Sequence, residues 1–420
     1  MIAKKNIPYI FKLFLLFHLV IWTLVPTLSN ENLPLDTIEA LAWGSDLNWG
    51  FNKHPPLSAF AVEVFYQIFG NQDWAYYFLS QIFVIIAFFG VFKFSEEFFN
   101  NKYYAILSVL LLEGIYFYNF TTPEFNVNVC QLPLWSLSIY FAWRCFKNDK
   151  TSDYVYLGLL MGLGILSKYL FLYLIIGIKL FFIFLIKKRK KINFRNYFIS
   201  GPIVLLVLLP HIIWLSENDF TTITYGLQRT GGAGDFFDHL IYPIIFLGKQ
   251  IGVLIPFFLM IFFLVKKLKF KFSLSDEKLI FLIFTTIIPI LTMFLTSMIV
   301  GIKIRTMWMT PFYLFFGVLS IYIFQKNIVL NNLKKFFLLF SFLFLLSPIV
   351  YLGISFANDN KRTDYPGKEI ARLVQNKWDE NFVNEIKIVI GDEWYAGNLS
   401  YHLVSRPVWT NELKDKTSQI

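Results

Sequence analysis

The chain has 420 residues, of which 56% are hydrophobic and only 16% are charged. About a quarter of the residues in a soluble domain are charged, so this composition excludes an ordinary soluble protein and predicts several membrane spans. The formal net charge is +10, but Lys and Arg fall in short clusters between apolar runs. That distribution is typical of topology determinants and does not indicate a nucleic-acid-binding surface.

Eleven apolar runs are predicted to span the membrane. The first, 7–28, is long enough to cross a bilayer, and no small-residue cleavage site follows it, so we interpret it as a retained helix and not as a signal peptide. A first external loop, 29–73, comes next, and its short apolar run 57–69 is predicted to lie on the membrane surface. The run 154–186 is too long for one helix and is predicted to turn at Ser167–Tyr169. The other predicted spans are 74–94, 103–120, 126–146, 196–215, 240–265, 279–300, 307–324 and 336–356.

The basic clusters predict the orientation of these spans. If the N-terminus is cytoplasmic, the clusters at 147–150, 187–191, 266–271 and 326–335 all fall on the inside, as the positive-inside rule requires. Several charged residues that topology does not require then lie together on the outside, and this suggests a functional site there. They are Asp36, Glu124, Lys168, Arg229, Lys303 and Arg305.

The composition changes near the C-terminus. Residues 358–420 are hydrophilic and external by the same alternation, with a predicted helix at 365–378, a strand at 386–390 and a helix at 393–404. About sixty residues bury little core alone. We therefore predict an all-α polytopic membrane domain, 1–357, with about 11 transmembrane helices and a small external α/β appendage, 358–420.

The first external loop carries the densest group of candidate residues. Asp36 is either a solvated carboxylate or helix N-cap, or a general base. Glu39 and Lys53 add charges of both signs among tryptophans. His54 is either structural or directed toward a site by the two following prolines, which fix the backbone. These residues make the loop the strongest candidate for an active site.

Cations on the other external loops suggest anion binding. Lys303 and Arg305 are either headgroup-snorkelling side chains or part of a phosphate site. Lys168 and Arg229 are two further external cations. The glycine-rich tract 231–234 does not open a helix after a strand, so it is no nucleotide-binding loop, and we interpret it as a flexible lid.

The remaining candidates are Glu124 and Asn126 at the mouth of a span, where Asn126 is alternatively a helix cap, and Tyr225. The sequence contains no HExxH, Walker A, GxSxG or CxxC motif, and its five histidines are scattered. It therefore predicts no metal site and no cofactor, although a divalent cation is compatible with the chemistry without being implied.

Five stretches carry a family resemblance: LDTIEALAWG with WGFNKHPPL, TTPEFNVN, GLGILSKY, PHIIWLSENDF with YGLQR, and GIKIRTMWMTP. Together they cover residues 35–311. The chain resembles the integral-membrane GT-C glycosyltransferases that use polyprenyl-phosphate sugars (glycosyltransferase family 39), and within them the RgtA/B/C/D-like branch and the aminoarabinose transferase of lipid A. The resemblance implies that Asp36 is the catalytic carboxylate. The chain departs from the pattern at Thr37, where many members have Glu, at Glu39, where the aminoarabinose branch has Arg, and at His54, where it has Lys.

The resemblance implies an inverting transfer of a sugar from a polyprenyl-phosphate donor to an envelope acceptor, most simply lipid A or the lipopolysaccharide core; a polysaccharide or protein acceptor stays open. We expect the bacterial inner membrane, a cytoplasmic N-terminus and a periplasmic C-terminal domain. The alternative is a transporter or flippase of lipid-linked sugars, but the sequence shows neither the repeats nor the charged or broken spans typical of transporters. The residues expected to bind the donor phosphate are His54, Arg229, Lys303, Arg305 and Lys168; those expected to bind the acceptor or sugar, or to support the site, are Glu39, Lys53, Glu124, Asn126 and Tyr225.

Overall fold

The structure is a computed structural model that describes residues 4–188, 193–231, 234–270, 272–330, 333–358 and 360–412. Long apolar segments form helices because a bilayer offers no water to hydrogen-bond free backbone groups. Within the described residues, seven helices are long and apolar enough to cross a membrane. The prediction of a multi-pass membrane protein is therefore confirmed. These seven are Ile7–Ser29 (α1), Asp73–Phe98 (α4), Tyr169–Lys187, Phe194–Glu217 (α9), Asp238–Leu264 (α11), Glu277–Val300 and Lys334–Ala357 (α15).

The other predicted spans are present as shorter or interrupted elements. Thr306–Tyr313 is a 3-10 helix that meets the following helix at 52°, and the two together could form an eighth span. The predicted span 103–120 is a short helix followed by two 3-10 turns. Further helices are Lys102–Leu110 (α5), Val127–Asn148 (α6), Thr151–Ser167 (α7) and Phe316–Phe324 (α14). Two of the seven long spans contain the shorter helices Leu172–Lys187 (α8), Glu277–Leu282 (α12) and Ile288–Val300 (α13).

The expectation of unbroken, uncharged spans is wrong. A π-helical turn, Ile283–Ile287, separates α12 from α13. A buried hydrogen bond joins two ionisable residues, His18 in the middle of α1 and Glu113, with Nδ1 and Oε1 3.0 Å apart. Phe14 and Phe88 pack against the imidazole. This pair locks α1 to the interrupted segment after α5.

The first external loop is largely helical, which its prolines and aromatic residues did not predict. Leu35–Gly44 forms α2, and Leu57–Phe69 forms the predicted helix α3. Pro34 occupies the N-cap position of α2, so Asp36 lies inside the first turn and is not the cap. A further external helix, Thr221–Thr230 (α10), follows α9.

The C-terminal segment forms a small β-α-β unit preceded by a helix. The two strands are parallel and pair Ile388 with Val408 and Ile390 with Thr410. The second strand was not predicted. Gly397 allows this unit to approach the external loop closely, since a Cβ there would lie 3.1 Å from the Cβ of Ala42. The division at residue 357 therefore stays a proposal. The elements are Gly367–Asp379 (α16), Ile388–Ile390 (β1), Tyr395–His402 (α17) and Val408–Thr410 (β2).

Candidate active site

A cavity of about 230 Å³ lies at one end of the helix bundle. Six separate segments contribute to it: α2, the segment before α3, the start of α6, the break between α7 and α8, α10, and the segment that begins at Arg305. Eight of the eleven predicted site residues line it. They are Asp36, Glu39, Lys53, His54, Lys168, Tyr225, Arg229 and Arg305.

Asp36 and Glu124 form the acidic part of the site. The backbone N–H of Asp36 donates to Glu124 Oε1 at 3.0 Å, which fixes the start of α2 against the segment before α6. Burial, together with the Asp36 carboxylate, raises the pKa of Glu124 to about 8. Burial also raises the pKa of Asp36, but Lys168, Lys53 and Arg229 oppose that rise. A raised pKa favours the protonated form of Glu124 near neutral pH, whereas Asp36 is the member of the pair that faces the cations, which favour its ionised form.

Lys168 is placed by the break between α7 and α8. The backbone of Lys168 is extended directly after α7 ends at Ser167. This break in the helix confirms the predicted turn. Lys168 Nζ donates to Asn128 Oδ1 at 2.6 Å and lies 5.2 Å from the Trp308 ring centroid. Burial lowers the pKa of Lys168 to about 7, and nearby Arg305 adds to this effect. The amine therefore changes its protonation state near neutral pH, and its side chain lines the cavity.

Lys53 is held between two carboxylates. It forms an ion pair with Glu39 and a second with Glu393, at 3.1 Å. Glu393 belongs to the C-terminal unit, between β1 and α17. The charge of Lys53 is therefore largely balanced before any ligand binds.

The two arginines keep their charge available. Among the described residues, no carboxylate forms an ion pair with Arg229 or Arg305, and both side chains are exposed at the cavity. Arg229 lies over the ring of Tyr225, with its Cζ 5.7 Å from the ring centroid. A guanidinium without a protein partner can give two-pronged hydrogen bonds to a phosphate.

His54 cannot supply a positive charge here. Its imidazole meets Trp43 edge-on, with ring centroids 5.9 Å apart. Burial and the cations Lys168 and Lys53 lower its pKa to about 3. His54 is therefore neutral at physiological pH and can contribute a hydrogen bond only.

Three predicted residues do not line the cavity. Lys303 is exposed outside it. Glu124 accepts a hydrogen bond from the backbone of Asp36 and so contacts the site indirectly. Asn126 is a helix cap, since its Oδ1 accepts from the N–H groups of Asn128 and Val129 at 2.9 and 3.2 Å. The capping interpretation of Asn126 is the one that the geometry supports.

Four residues at the site were not singled out from the sequence: Tyr169, Thr222, Trp308 and Glu393. The first three lie within three residues of a predicted cation or aromatic, so proximity along a helical turn could have found them. Glu393 had no local signal because 340 residues separate it from Lys53. Within the part of the chain that the structure describes, no group of three or more His, Cys, Asp or Glu side chains could hold a metal ion.

Comparisons with known proteins agree with this picture. Residues 53–214 match the family model for dolichyl-phosphate-mannose-protein mannosyltransferase. The structure is similar to ArnT from Cupriavidus metallidurans bound to undecaprenyl phosphate, with a TM-score of 0.68, 13% identity, and 93% of this chain and 85% of that chain covered. It is also similar to the apo state of the same protein, with a TM-score of 0.66, 12% identity, and 93% and 84% covered. No curated protein sequence matches the chain.

Identities this low establish the fold and not the substrate. The predicted GT-C architecture, with its small C-terminal appendage, is confirmed by the likeness to ArnT over nearly the whole chain. The cavity places the carboxylate of Asp36 opposite several cations.

Proposed function

We propose that this protein is an inverting glycosyltransferase that moves a sugar from a polyprenyl-phosphate donor to an envelope acceptor. The observation that carries the proposal is the cavity itself, in which Asp36 faces Lys168, Arg229 and Arg305 at one end of a membrane bundle. The matching family model is named for a transferase that uses a lipid-phosphate sugar, and the similar ArnT structure holds undecaprenyl phosphate. Both support the same class of donor.

The cations would bind the donor phosphate. When the bond between the sugar and the phosphate oxygen breaks, negative charge grows on the phosphate, and preorganised cations stabilise that charge most effectively. Among the described residues, no carboxylate forms an ion pair with Arg229 or Arg305, and Lys168 is buried, so these three would bind the phosphate. Lys53 contributes less because Glu39 and Glu393 already balance its charge.

Asp36 would act as the general base. An ionised carboxylate can accept the proton of an acceptor hydroxyl while that oxygen attacks the anomeric carbon from the face opposite the phosphate. The sugar–phosphate bond breaks in the same step, and the configuration at the anomeric carbon inverts. Glu124, which keeps its proton, would hold the backbone of Asp36 in place without competing for this role.

The positive-inside pattern supports a bacterial inner-membrane location with the N-terminus in the cytoplasm and the site facing the periplasm. Nucleotide sugars are made in the cytoplasm, so a lipid-linked donor suits this orientation. The acceptor would be an envelope glycolipid, with lipid A or the lipopolysaccharide core as the first candidates.

Mass spectrometry of envelope glycolipids tests the proposal. Cells with the intact gene, without it, and with Asp36→Asn are compared. We expect the glycolipid that carries the added sugar to be absent in the deletion. With Asp36→Asn its rate of formation should fall about 10²–10³-fold, because removing one essential charged group typically has that effect. Glu31→Gln, an exposed external carboxylate outside the cavity, is the matched control and should leave decoration unchanged.

Normal decoration with Asp36→Asn would contradict the catalytic role. An assay with the protein reconstituted in liposomes distinguishes a transferase from a transporter. A purified protein that moves a lipid-linked sugar across the bilayer without transferring it would support the transporter.

A further inference from the structure

A second depression, an open groove of about 900 Å³, lies on the same side of the protein. It is next to the cavity lined by Asp36, Lys168 and Arg229, which we call the donor cavity. It is bounded by the segment after α2, the turn between α9 and α10, and the end of β2. The donor cavity and the groove share one thin wall. Thr222 lines the cavity and Thr221 lines the groove, and the hydroxyl of Thr222 donates to the carbonyl of Phe51 at 2.6 Å.

The charges of the two spaces are opposite. The donor cavity collects lysines and arginines, whereas no lysine or arginine among the described residues lines the groove. Four carboxylates line it instead, together with asparagine side chains and two indoles. The acids are Asp46, Glu217, Asp219 and Glu412, and the indoles are Trp214 and Trp409.

The larger indole surface of the groove is held rigidly. Trp214 lies flat against the backbone at Gly50, where a Cβ would come within 2.2 Å of the ring. His211 stacks on Trp214 with an interplanar angle of 10°. The same imidazole bonds the hydroxyl of Tyr169, a cavity-lining residue, at 2.7 Å and the carbonyl of Trp49 at 2.6 Å. The indole is therefore preorganised and tied to the donor site.

The wall between the two spaces also carries an unused polar atom. Asn52 lines the groove, and its Nδ2 donates to Glu393 Oε1 at 3.4 Å. Its buried Oδ1 has no hydrogen-bond partner among the described residues. Glu393 in turn binds Lys53, which lines the donor cavity. A ligand hydroxyl that satisfies Asn52 would thus lie one residue from the donor site.

We propose that this groove binds the acceptor, and that the acceptor presents there a neutral or amino-bearing sugar ring and not a phosphorylated one. This inference rests on the proposed glycosyltransferase function. A sugar ring packs its C–H face on an indole while its hydroxyls donate to carboxylate and amide oxygens, and an amine adds charge attraction. The carboxylates of Glu217, Asp219 and Glu412 would repel a phosphate, and no lysine or arginine among the described residues lines the groove to attract one.

The test combines groove variants with location of the added sugar. Glu217→Gln with Asp219→Asn, and separately Trp214→Ala, are expressed at low level in the deletion strain, and the sugar-bearing glycolipid is quantified by mass spectrometry. We expect each change to reduce the product about tenfold, as for loss of one charge-assisted hydrogen bond or of an equivalent packing contact. Asp235→Asn, an exposed acid outside the groove, is the control and should match the wild type.

Two further measurements make the outcome decisive. Undecaprenyl-phosphate binding to the purified full-length variants should equal that of the wild type, since the groove lies across the wall from the donor phosphate. Tandem mass spectrometry should place the added sugar on a ring without phosphate. Addition to a phosphorylated ring, or wild-type product from all groove variants, would overturn this inference and leave the transferase intact. Absence of any difference between wild type and deletion would instead overturn the proposed function.

Discussion

The cations of the donor cavity differ in how much charge they can offer. Arg229 and Arg305 stay charged at any physiological pH, whereas burial brings the pKa of Lys168 to about 7. In the free protein Lys168 is charged below pH 7 and loses its proton as the pH rises above it. A bound phosphate would favour the charged form, so binding and protonation are coupled at this residue.

Lys168→Arg should therefore change the pH dependence of donor binding. In the wild type, the affinity for undecaprenyl phosphate should fall as the pH rises through about 7, by up to about tenfold per unit while the charge is required. The arginine keeps its proton, so the affinity of the variant should stay level to about pH 7.5 and change above that only as Glu124, whose pKa is about 8, loses its proton. Binding titrations from pH 6 to 9 measure this difference.

Lys303→Arg is the control for this substitution, because Lys303 is exposed and does not line the cavity. Its pH profile should follow the wild type. Parallel profiles for Lys168→Arg and the wild type would show that the charge of Lys168 does not hold the phosphate.

Site residues were predictable where the local sequence alone made them unusual. Asp36, Lys168 and Arg229 stood out because an external charge has no role in topology. The neutrality of His54 was not predictable, since it depends on burial and on cations from distant segments. The contact of Glu393 with the site was not predictable either, because its partner Lys53 lies in a distant segment.

At the scale of elements, α2 is the part that must be positioned most accurately, because it carries Asp36. Arg406 binds its C-terminal end: Nη2 donates to the carbonyl of Leu41 at 2.6 Å and to Glu63 Oε2, in α3, at 2.8 Å. The guanidinium also lies 4.2 Å from the ring centroid of Tyr66. A cation at the C-terminal end of a helix is favoured by the helix dipole, so this one side chain joins α2, α3 and the C-terminal unit.

Arg406→Ala should destabilise the external part of the protein. The Arg406 and Glu63 side chains are only 12% and 7% exposed, and removing one partner of such a pair costs about 3–5 kcal/mol of unfolding free energy. We expect a lower thermal midpoint and a lower transfer rate. Adding Glu63→Gln should restore part of the midpoint, because it removes the unpaired charge that Arg406→Ala leaves behind.

Lys377→Ala is the control, since its pair with Glu380 is on the surface and surface pairs contribute little. A wild-type midpoint for Arg406→Ala would show that the pair does not hold α2. No recovery in the double variant would assign the loss to packing on Tyr66.

Elements were predictable from the sequence where hydrophobic length decided them. The long spans and the turn at Lys168 follow from apolar runs and one interruption. Helix α2 was missed because its local signals compete, and it is stabilised by contacts with α3 and α17. The breaks at 283–287 and near 313 were missed because the surrounding runs are apolar enough to resemble continuous spans, and the few polar residues and prolines in them, such as Thr285, Thr286 and Pro311, do not mark where the hydrogen-bond pattern changes.

At the scale of the whole molecule, the C-terminal unit is bonded to the loop between α1 and α4 at several points. Asn32 Nδ2 donates to Asn398 Oδ1 at 2.8 Å, and the hydroxyl of Tyr401 donates to Asp73 Oδ1 at 2.7 Å. With the Lys53–Glu393 pair, these bonds tie both ends of the loop to the last sixty residues. Lys168 and Arg305 lie next to membrane helices and Arg229 lies on α10, whereas α2, which carries Asp36, contacts both Glu124 and the C-terminal unit.

Deletion of residues 358–420 should accordingly abolish sugar transfer while the membrane domain can still bind undecaprenyl phosphate, because Lys168, Arg229 and Arg305 all precede the cut. Transfer is measured by glycolipid mass spectrometry and binding by titration of the purified protein. The full-length variant Glu393→Gln serves as a fold-preserving companion, and its loss of transfer should be smaller, since Glu39 still pairs with Lys53. Full activity of the truncated chain would establish 1–357 as an autonomous transferase. Loss of donor binding would show that the C-terminal unit supports the cations as well as the base.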